Sequence, residues 1–161
     1  MKTIDLLNQV EIFKGLDQAQ LNAVKDCCQI KTFVEGEKIF GEGEEASVLW
    51  AVIEGRVDLR YDLPGRKSSK ETTIAGISEG NVFGWSCFVP PFKYRLSGYS
   101  TKNSQLIEIN RDCLIKVLDG NAPIGYRVMS NLAVVIGTRF QQLQHEAALC
   151  EGEILLHHKD N

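Results

Sequence analysis

The stretch Val48-Leu-Trp-Ala-Val-Ile-Glu-Gly-Arg-Val-Asp-Leu-Arg-Tyr61 is the clearest strand signal in the chain. Two runs rich in β-branched and aromatic residues meet at Glu54-Gly55, a pattern typical of a β-hairpin. In the second run Val57, Leu59 and Tyr61 alternate with charged residues. This alternation predicts one strand face toward the core and one face in water.

Similar short runs continue between Ile30 and Ile109, and glycine-bearing turns separate them about every 8 to 15 residues. This spacing indicates an antiparallel all-β sandwich or roll. The segment from Pro64 to Lys70 is rich in Gly, Ser and Lys and is predicted to be an exposed loop. The turns lie at Glu35-Gly36, Gly41 to Gly43, Glu54-Gly55, Pro64-Gly65 and Glu79-Gly80.

Helical periodicity precedes the β-region. The segments Thr3 to Phe13 and Leu16 to Cys27 are predicted to be short amphipathic helices. Asp17, followed by Gln20 three residues on, has the form of a capping box at the start of the second helix.

Two further helices are predicted after the β-region. One begins after Asn110, which is a predicted N-cap, and ends at Asp119-Gly120. A longer one runs from near Pro123 to about Cys150. The fold class is therefore α+β: an antiparallel β-roll of the double-stranded β-helix or jelly-roll type, with N-terminal helices and a long C-terminal helix.

The long C-terminal helix carries an apolar stripe close to a coiled-coil seam. We expect Val128 to Ile136 to pack on the β-roll and Phe140 to Cys150 to pair with a second copy, which makes the chain a homodimer. Packing of the whole stripe on its own β-roll is the alternative. Residues 1–150 are predicted to form one sensor domain and residues 151–161 a flexible tail. The stripe comprises Leu132, Ile136, Phe140, Leu143, Ala147 and Cys150.

Length and composition narrow the class of protein. A chain of 161 residues fits one domain, and no apolar run approaches the roughly 20 residues of a bilayer span. With no secretory leader, we expect a cytoplasmic protein that does not contact a membrane. With a net charge of −3 the chain has no excess of basic residues, so this chain alone is not expected to bind nucleic acid. The five scattered cysteines contain no CxxC pair and are predicted to be buried, reduced thiols.

A candidate anion site follows from the residues around Gly84. A strand that ends at Phe83-Gly84 and continues into the apolar run Trp85 to Val89 predicts a helical turn, whose first backbone N–H groups attract anions. Gly84 has no Cβ to keep a phosphate at a distance. Lys93 and Arg95 share one face of the extended segment that follows, and either is a candidate for the phosphate contact.

Three motifs follow one another in the β-region: Phe33-Val-Glu-Gly-Glu-Lys-Ile-Phe-Gly-Glu-Gly-Glu-Glu-Ala46, Val52-Ile-Glu-Gly-Arg-Val57 and Glu79-Gly-Asn-Val-Phe-Gly84. With the helices before and after them, they resemble the cyclic-nucleotide-binding domains of the CRP/FNR regulator family over about residues 10 to 145. The resemblance implies a regulatory domain that senses a small anionic ligand, with cyclic AMP, cyclic GMP or another small anion as candidates. Five glycines fall at the turns of that family's β-roll: Gly36, Gly43, Gly55, Gly80 and Gly84.

The chain departs from the family's phosphate-binding cassette at two positions. The cassette reads Phe-Gly-Glu, then small apolar residues, then Arg followed by Ala or Ser. Trp85 replaces the glutamate that in the family accepts a hydrogen bond from the ribose 2′-hydroxyl, and an indole can only donate. Leu96 replaces the small residue after the arginine, whereas Arg95 keeps the arginine's charge and spacing. Loss of the acceptor predicts cyclic AMP affinity about ten- to a hundredfold below that of the family.

The predicted ligand-binding set combines the cassette with one position of the long helix. Thr138 and Arg139 lie where family members often contact the base, and a solvated polar face is the alternative reading. We expect neither catalysis nor a metal site, because all three histidines follow the β-region and no nucleophile or metal motif occurs. The set is Phe83, Gly84, Trp85, Ser86, Cys87, Lys93, Arg95, Leu96, Ser97 and Thr138.

Three functions are compatible with these features. The leading hypothesis is a regulatory domain that senses a small anionic, nucleotide-like ligand. The second is a degenerate homodimeric protein-interaction module that binds no ligand. The third, a truncated transcription regulator of the family, needs a helix-turn-helix after the long helix, and the chain ends at Asn161. An open pocket lined by Arg95 favours the first hypothesis, and a pocket filled by Trp85 or Leu96 favours the second.

Overall fold

A computed structural model describes residues 3–62 and 72–157, with the side chains of the last helix described as far as Leu149. Within these residues two four-stranded antiparallel sheets form a β-roll, which confirms the predicted fold class. The predicted loop from Pro64 to Lys70 lies outside the described residues. One sheet orders its strands as β1 (Cys28–Phe33), β8 (Ser104–Asn110), β3 (Val48–Glu54) and β6 (Val82–Phe83). The other orders them as β2 (Lys38–Phe40), β7 (Ser97–Ser100), β4 (Val57–Arg60) and β5 (Thr73–Ile77).

The predicted hairpin at Glu54-Gly55 is wrong. Strand β3 pairs with β6 and β8, whereas β4 pairs with β5 and β7, so the chain crosses between the sheets at Gly55. Gly55 has a φ of +98°, and a Cβ there would lie 2.3 Å from the Ser104 Oγ. Only glycine fits this crossing. The residues from Leu49 to Val52 are all buried, which is typical of a strand covered on both faces rather than of a solvated hairpin arm.

The charged face of β4 is also buried, contrary to the predicted solvated face. Asp58 is 7% exposed, and its Oδ2 accepts hydrogen bonds from Arg60 Nη2 and Thr73 Oγ1, both at 3.2 Å. Charged groups tolerate burial when they are paired in this way. Alternation along a strand shows which side chains share a face, but not whether other parts of the protein cover that face.

The N-terminal region forms helix α1 (Thr3–Leu7), a 3-10 turn over Glu11–Phe13 and helix α2 (Gln18–Lys25). The first predicted helix is therefore interrupted after Leu7. The predicted capping box of α2 is confirmed: Asp17 Oδ1 accepts from the Gln20 N–H, and Gln20 Oε1 accepts from the Asp17 N–H, each at 2.9 Å.

The C-terminal region forms helix α3 (Arg111–Gly120) and helix α4 (Ala122–His157). Asn110 is the N-cap of α3 as predicted, since its Oδ1 accepts from the Cys113 N–H at 2.9 Å. Helix α4 ends at His157 rather than at about Cys150. The division into a domain of residues 1–150 and a tail of residues 151–161 stays a prediction.

Helix α4 has two apolar faces. The first half packs in the core, as predicted, through Ile124, Val128, Leu132 and Val135. The second face, which we call the seam, is only partly covered by the part of the chain that the structure describes: Ile136 packs against the edge of the core, whereas Phe140 is 59% exposed. Leu132, which the sequence placed in this stripe, belongs to the core face. The seam consists of Met129, Ala133, Ile136, Phe140, Leu143 and Ala147, at the 4-3-4-3-4 spacing of a heptad repeat.

The prediction that all cysteines are reduced is wrong for Cys27 and Cys113, which form a disulfide between the start of β1 and α3. The two positions are 86 residues apart, so no local pattern reveals the pair. Cys28 and Cys87 are free thiols, as predicted, and burial raises the pKa of each to about 12. Within residues 3–62 and 72–157 no helix is long and apolar enough to span a bilayer.

Reduction of the Cys27–Cys113 bond is expected to lower the free energy of unfolding by about 2–4 kcal/mol, because a cross-link restricts the unfolded chain. Urea unfolding of the wild type and of Cys113→Ser, each with and without dithiothreitol, measures this effect. The reductant should shift the wild-type midpoint and leave that of Cys113→Ser unchanged. Equal shifts in both proteins would contradict the disulfide.

Candidate ligand-binding site

The cassette, residues 83–97, begins with the predicted strand-to-turn junction. Strand β6 ends at Phe83, Gly84 adopts a φ of +80°, and a 3-10 turn follows over Trp85–Phe88. A Cβ at Gly84 would lie 3.2 Å from the Tyr94 ring and 3.3 Å from the Trp50 ring. The left-handed backbone therefore favours glycine at this position, and a side chain would also press on both rings.

Tyr94 fixes the segment that carries Arg95. The Tyr94 ring stacks on Phe40 with 3.8 Å between ring centroids, and its hydroxyl donates to the Val48 carbonyl at 2.8 Å. Burial raises the pKa of Tyr94 to about 12, so the hydroxyl keeps its proton and remains a donor at neutral pH. Because Tyr94 is anchored in the core, the next side chain, that of Arg95, extends away from the core toward solvent.

A cavity of about 760 Å³ lies between the cassette, strand β5 and helix α4. Phe40, Leu59 and Ile77 give the roll side of its wall an apolar surface. Arg95 also lines the cavity, and its guanidinium makes no hydrogen bond or ion pair with any described residue. This volume is within the range of small-molecule sites, and apolar walls with few polar groups are typical of them.

Arg139 connects α4 to the cassette. Its guanidinium lies 4.8 Å from the centre of the Trp85 ring, and Nη2 donates to the Val82 carbonyl. Nη2 also lies 3.5 Å from Glu11 Oε1. The Arg139 side chain is 16% exposed, and burial lowers its pKa, a shift that the Glu11 carboxylate partly offsets. Helix α4 is therefore fixed to the cassette by a buried, stacked and paired cation.

Six predicted site residues line the cavity. Trp85 and Leu96 are half-buried parts of the wall, and neither fills the space, so the cavity has the open form that favours a ligand. Arg139, for which a solvated face was the alternative, is mostly buried and lines the cavity as well. The six residues are Gly84, Trp85, Ser86, Arg95, Leu96 and Thr138.

The other four predicted residues do not line the cavity, and each lies elsewhere for a local reason. Phe83 and Cys87 are fully buried in the core. Ser97 is buried too, because its hydroxyl donates to Asp62 and accepts from the Glu42 N–H at 2.8 Å. Lys93 is exposed and pairs through its backbone with Glu45, so Arg95 is the only one of the two candidate cations that lines the cavity.

Several lining residues were not predicted. Gln142 and Glu146 follow Thr138 at intervals of four residues, so helical spacing was a signal that could have identified them. Tyr94 precedes Arg95 and is buried beside the cavity. Glu11 reaches the cavity from the N-terminal 3-10 turn, far from the cassette in sequence, and no motif marks it.

These features define a jelly-roll domain whose C-terminal helix borders a cavity of small-molecule size. Residues 30–121 match the family model of the cyclic nucleotide-binding domain, so the chain belongs to that family. The resemblance to the sensor domains of CRP/FNR regulators is confirmed at the level of the domain.

Individual relatives agree with this assignment. A structure from Geobacter metallireducens GS-15, of a protein classed as cyclic nucleotide-binding, is 27% identical with a TM-score of 0.73 over 87% of this chain and 99% of that chain. The Thermus thermophilus catabolite activator protein is 21% identical with a TM-score of 0.70 over 88% of this chain and 63% of that chain, and shows the shared fold.

A curated relative matches a shorter part of the chain. The cAMP-dependent protein kinase type II regulatory subunit of Drosophila melanogaster is 28% identical over 97 residues, which is 60% of this chain. The match spans 25% of that regulatory subunit.

Substitution of Gly84 by alanine is expected to destabilise the fold more than the same change at Gly36. Both glycines have φ near +80°, so each alanine costs about 1–2 kcal/mol for left-handed backbone. Only at Gly84 does the new Cβ also press on Tyr94, Trp50 and the Val48 carbonyl, which adds about 1–3 kcal/mol; at Gly36 nothing lies within 4 Å. Urea unfolding of the two variants measures the difference. Equal destabilisation would show that the cassette is not packed as described.

Proposed function

We propose that this chain is a regulatory domain that binds a small anionic ligand between the cassette and helix α4, with a cyclic nucleotide as the first candidate. The observation that carries the proposal is the guanidinium of Arg95, which lines the cavity without a partner among the described residues. An arginine in a cavity with apolar walls is suited to a phosphate group, which it binds through two parallel hydrogen bonds.

The charges of the cavity wall favour a ligand with one negative charge. Arg139 is balanced by Glu11 at 3.5 Å, so Arg95 is the cation that a ligand would neutralise. Glu146 adds a carboxylate on the helix side and disfavours a doubly charged group. A cyclic phosphodiester carries one negative charge, whereas a terminal phosphate carries nearly two at neutral pH. The Drosophila relative is named as a regulatory subunit of a cAMP-dependent protein kinase, which supports a cyclic nucleotide as the ligand.

The ligand can shift α4 only if the domain binds it with different affinity in two arrangements of that helix. Thr138 and Gln142 lie on the helix wall of the cavity, next to Arg139, which stacks on Trp85. A ligand that contacts both the cassette and these helix residues adds to the energy that keeps α4 in place. The output would therefore be a change in the position or order of α4. The domain would act by binding its ligand and not by catalysis.

We further propose that the seam of α4 pairs with a second copy to form a homodimer. Its 4-3-4-3-4 spacing is that of a coiled coil. Its exposed Phe140 and Leu143, which also line the cavity, would be buried by such pairing. A cytoplasmic location is part of the same proposal. A degenerate, ligand-free dimer and a truncated transcription regulator are the other candidates, and the experiments below separate them from the sensor.

Isothermal titration calorimetry with cyclic AMP and cyclic GMP tests the ligand proposal. We expect at least one nucleotide to bind, and Arg95→Ala to weaken binding about tenfold or more, because the charged hydrogen bonds to the phosphate are lost. Lys93→Ala is the matched control: it removes a cation two residues away that does not line the cavity, and should leave affinity within about twofold.

Two outcomes would contradict the ligand proposal. Absence of heat with both nucleotides, together with no change in thermal unfolding, would favour the degenerate dimer. Equal loss of affinity in Arg95→Ala and Lys93→Ala would mean that nucleotides bind to the surface through general charge rather than in the cavity.

Sedimentation equilibrium tests the dimer proposal with two adjacent, exposed alanines of α4. Ala147 belongs to the seam and Ala148 does not. In Ala147→Glu two like charges meet in the proposed interface, so the dimer dissociation constant should rise about tenfold or more. Ala148→Glu introduces the same charge beside the seam and should have little effect. A monomeric wild type, or equal effects of both changes, would overturn the proposal.

A further inference from the structure

We infer that Glu11 contacts the bound ligand and accepts a hydrogen bond from a hydroxyl or amino group on it. The inference rests on the proposed function, because it names a second recognition element in the same cavity. Glu11 lies outside the cassette and in a different part of the chain, in the N-terminal 3-10 turn. Its side chain lines the cavity and is 20% exposed.

Glu11 is held rigidly at the cavity wall. Its backbone N–H donates to the Gly80 carbonyl at 2.9 Å, and its Oε1 accepts from the Val82 N–H at 2.8 Å. From the other side, Asn131 of α4 donates to the carbonyls of Ile12 and Lys14, each at 2.9 Å. The turn is thus fixed between β6 and α4. A carboxylate fixed in advance loses little conformational freedom when a ligand binds.

One oxygen of Glu11 is free for a ligand. Oε1 accepts from Val82 and lies near Arg139, whereas Oε2 makes no hydrogen bond with any residue in the described ranges. A carboxylate oxygen accepts hydrogen bonds and cannot donate them. A ligand group that binds Oε2 must therefore be a donor, and a hydroxyl or amine meets this requirement.

Glu11 and Arg95 together define a ligand class. Arg95 requires an anionic group, and Glu11 requires a donor on a separate part of the same molecule. A simple anion such as inorganic phosphate satisfies Arg95 alone and is repelled by the Glu11 carboxylate. The pair therefore selects a phosphorylated molecule that also carries hydroxyl or amino groups, and a nucleotide is the simplest such probe.

The Glu11 carboxylate replaces the hydrogen-bond acceptor that the cassette lacks, because Trp85 stands where the family has a glutamate. Trp85 has no acceptor atom, whereas Glu11 lines the same cavity and is bonded to the backbone of Val82, three positions before Trp85. Recognition of a ligand donor is thus transferred from the cassette to the N-terminal turn. This transfer explains how the cavity can keep donor recognition while the indole of Trp85 stacks on Arg139.

Calorimetry with three probes and two variants tests the role of Glu11. The probes are cyclic AMP, its 2′-deoxy analogue, and purine riboside cyclic monophosphate, which lacks the adenine amino group. Glu11→Gln should lower cyclic AMP affinity about tenfold to a hundredfold and leave affinity unchanged for the analogue that lacks the contacting donor. The unaffected analogue identifies the donor as hydroxyl or amine. Glu146→Gln, the same change elsewhere on the cavity wall, should not discriminate among the probes.

The outcomes separate the two proposals. If the wild type binds no probe, the nucleotide function fails and the role of Glu11 fails with it. If the wild type binds and Glu11→Gln weakens all three probes by one factor, or none of them, the role of Glu11 is overturned while the nucleotide function stands. Thermal unfolding of Glu11→Gln checks that the Val82 contact and the fold are kept.

Discussion

The buried guanidinium of Arg139 is the contact on which the ligand cavity depends. It joins α4 to two regions that are distant from it in sequence: the 3-10 turn with Glu11, and strand β6 with the start of the cassette, through the Val82 carbonyl and the Trp85 ring. A buried cation is costly unless it is paired, so its partners must stay in place for the charge to be tolerated. This requirement and the core packing of the first half of α4 together place α4 on one side of the cavity and the cassette on the other.

Helix α4 links the proposed ligand site to the proposed dimer interface. Thr138 and Arg139 lie on the helix wall of the cavity, and the seam residues Ile136, Phe140 and Leu143 line the same cavity. Phe140 and Leu143 are nevertheless largely exposed, at 59% and 45%. Under the proposed function, a ligand in the cavity and a second copy on the seam therefore contact some of the same side chains, and binding of one is expected to change the affinity for the other.

The sequence predicted the parts of this architecture that depend on local pattern. The turns at Gly36, Gly43 and Gly80, the capping box at Asp17 and the junction at Gly84 each depend on residues close in sequence, and each is present. What the sequence did not predict depends on distant contacts. The pairing of Cys27 with Cys113, the crossing at Gly55 and the approach of Glu11 to the cavity are all set by tertiary packing, and alternation or spacing along the chain carries no signal for them.

A crystal structure of the chain grown with cyclic AMP tests the central claim most directly, because the claim concerns where the ligand lies. The account predicts nucleotide in the cavity between the cassette and α4, with phosphate oxygens about 3 Å from the Arg95 guanidinium. A cavity occupied by protein side chains, or a nucleotide bound on the outer surface away from Arg95, would contradict it.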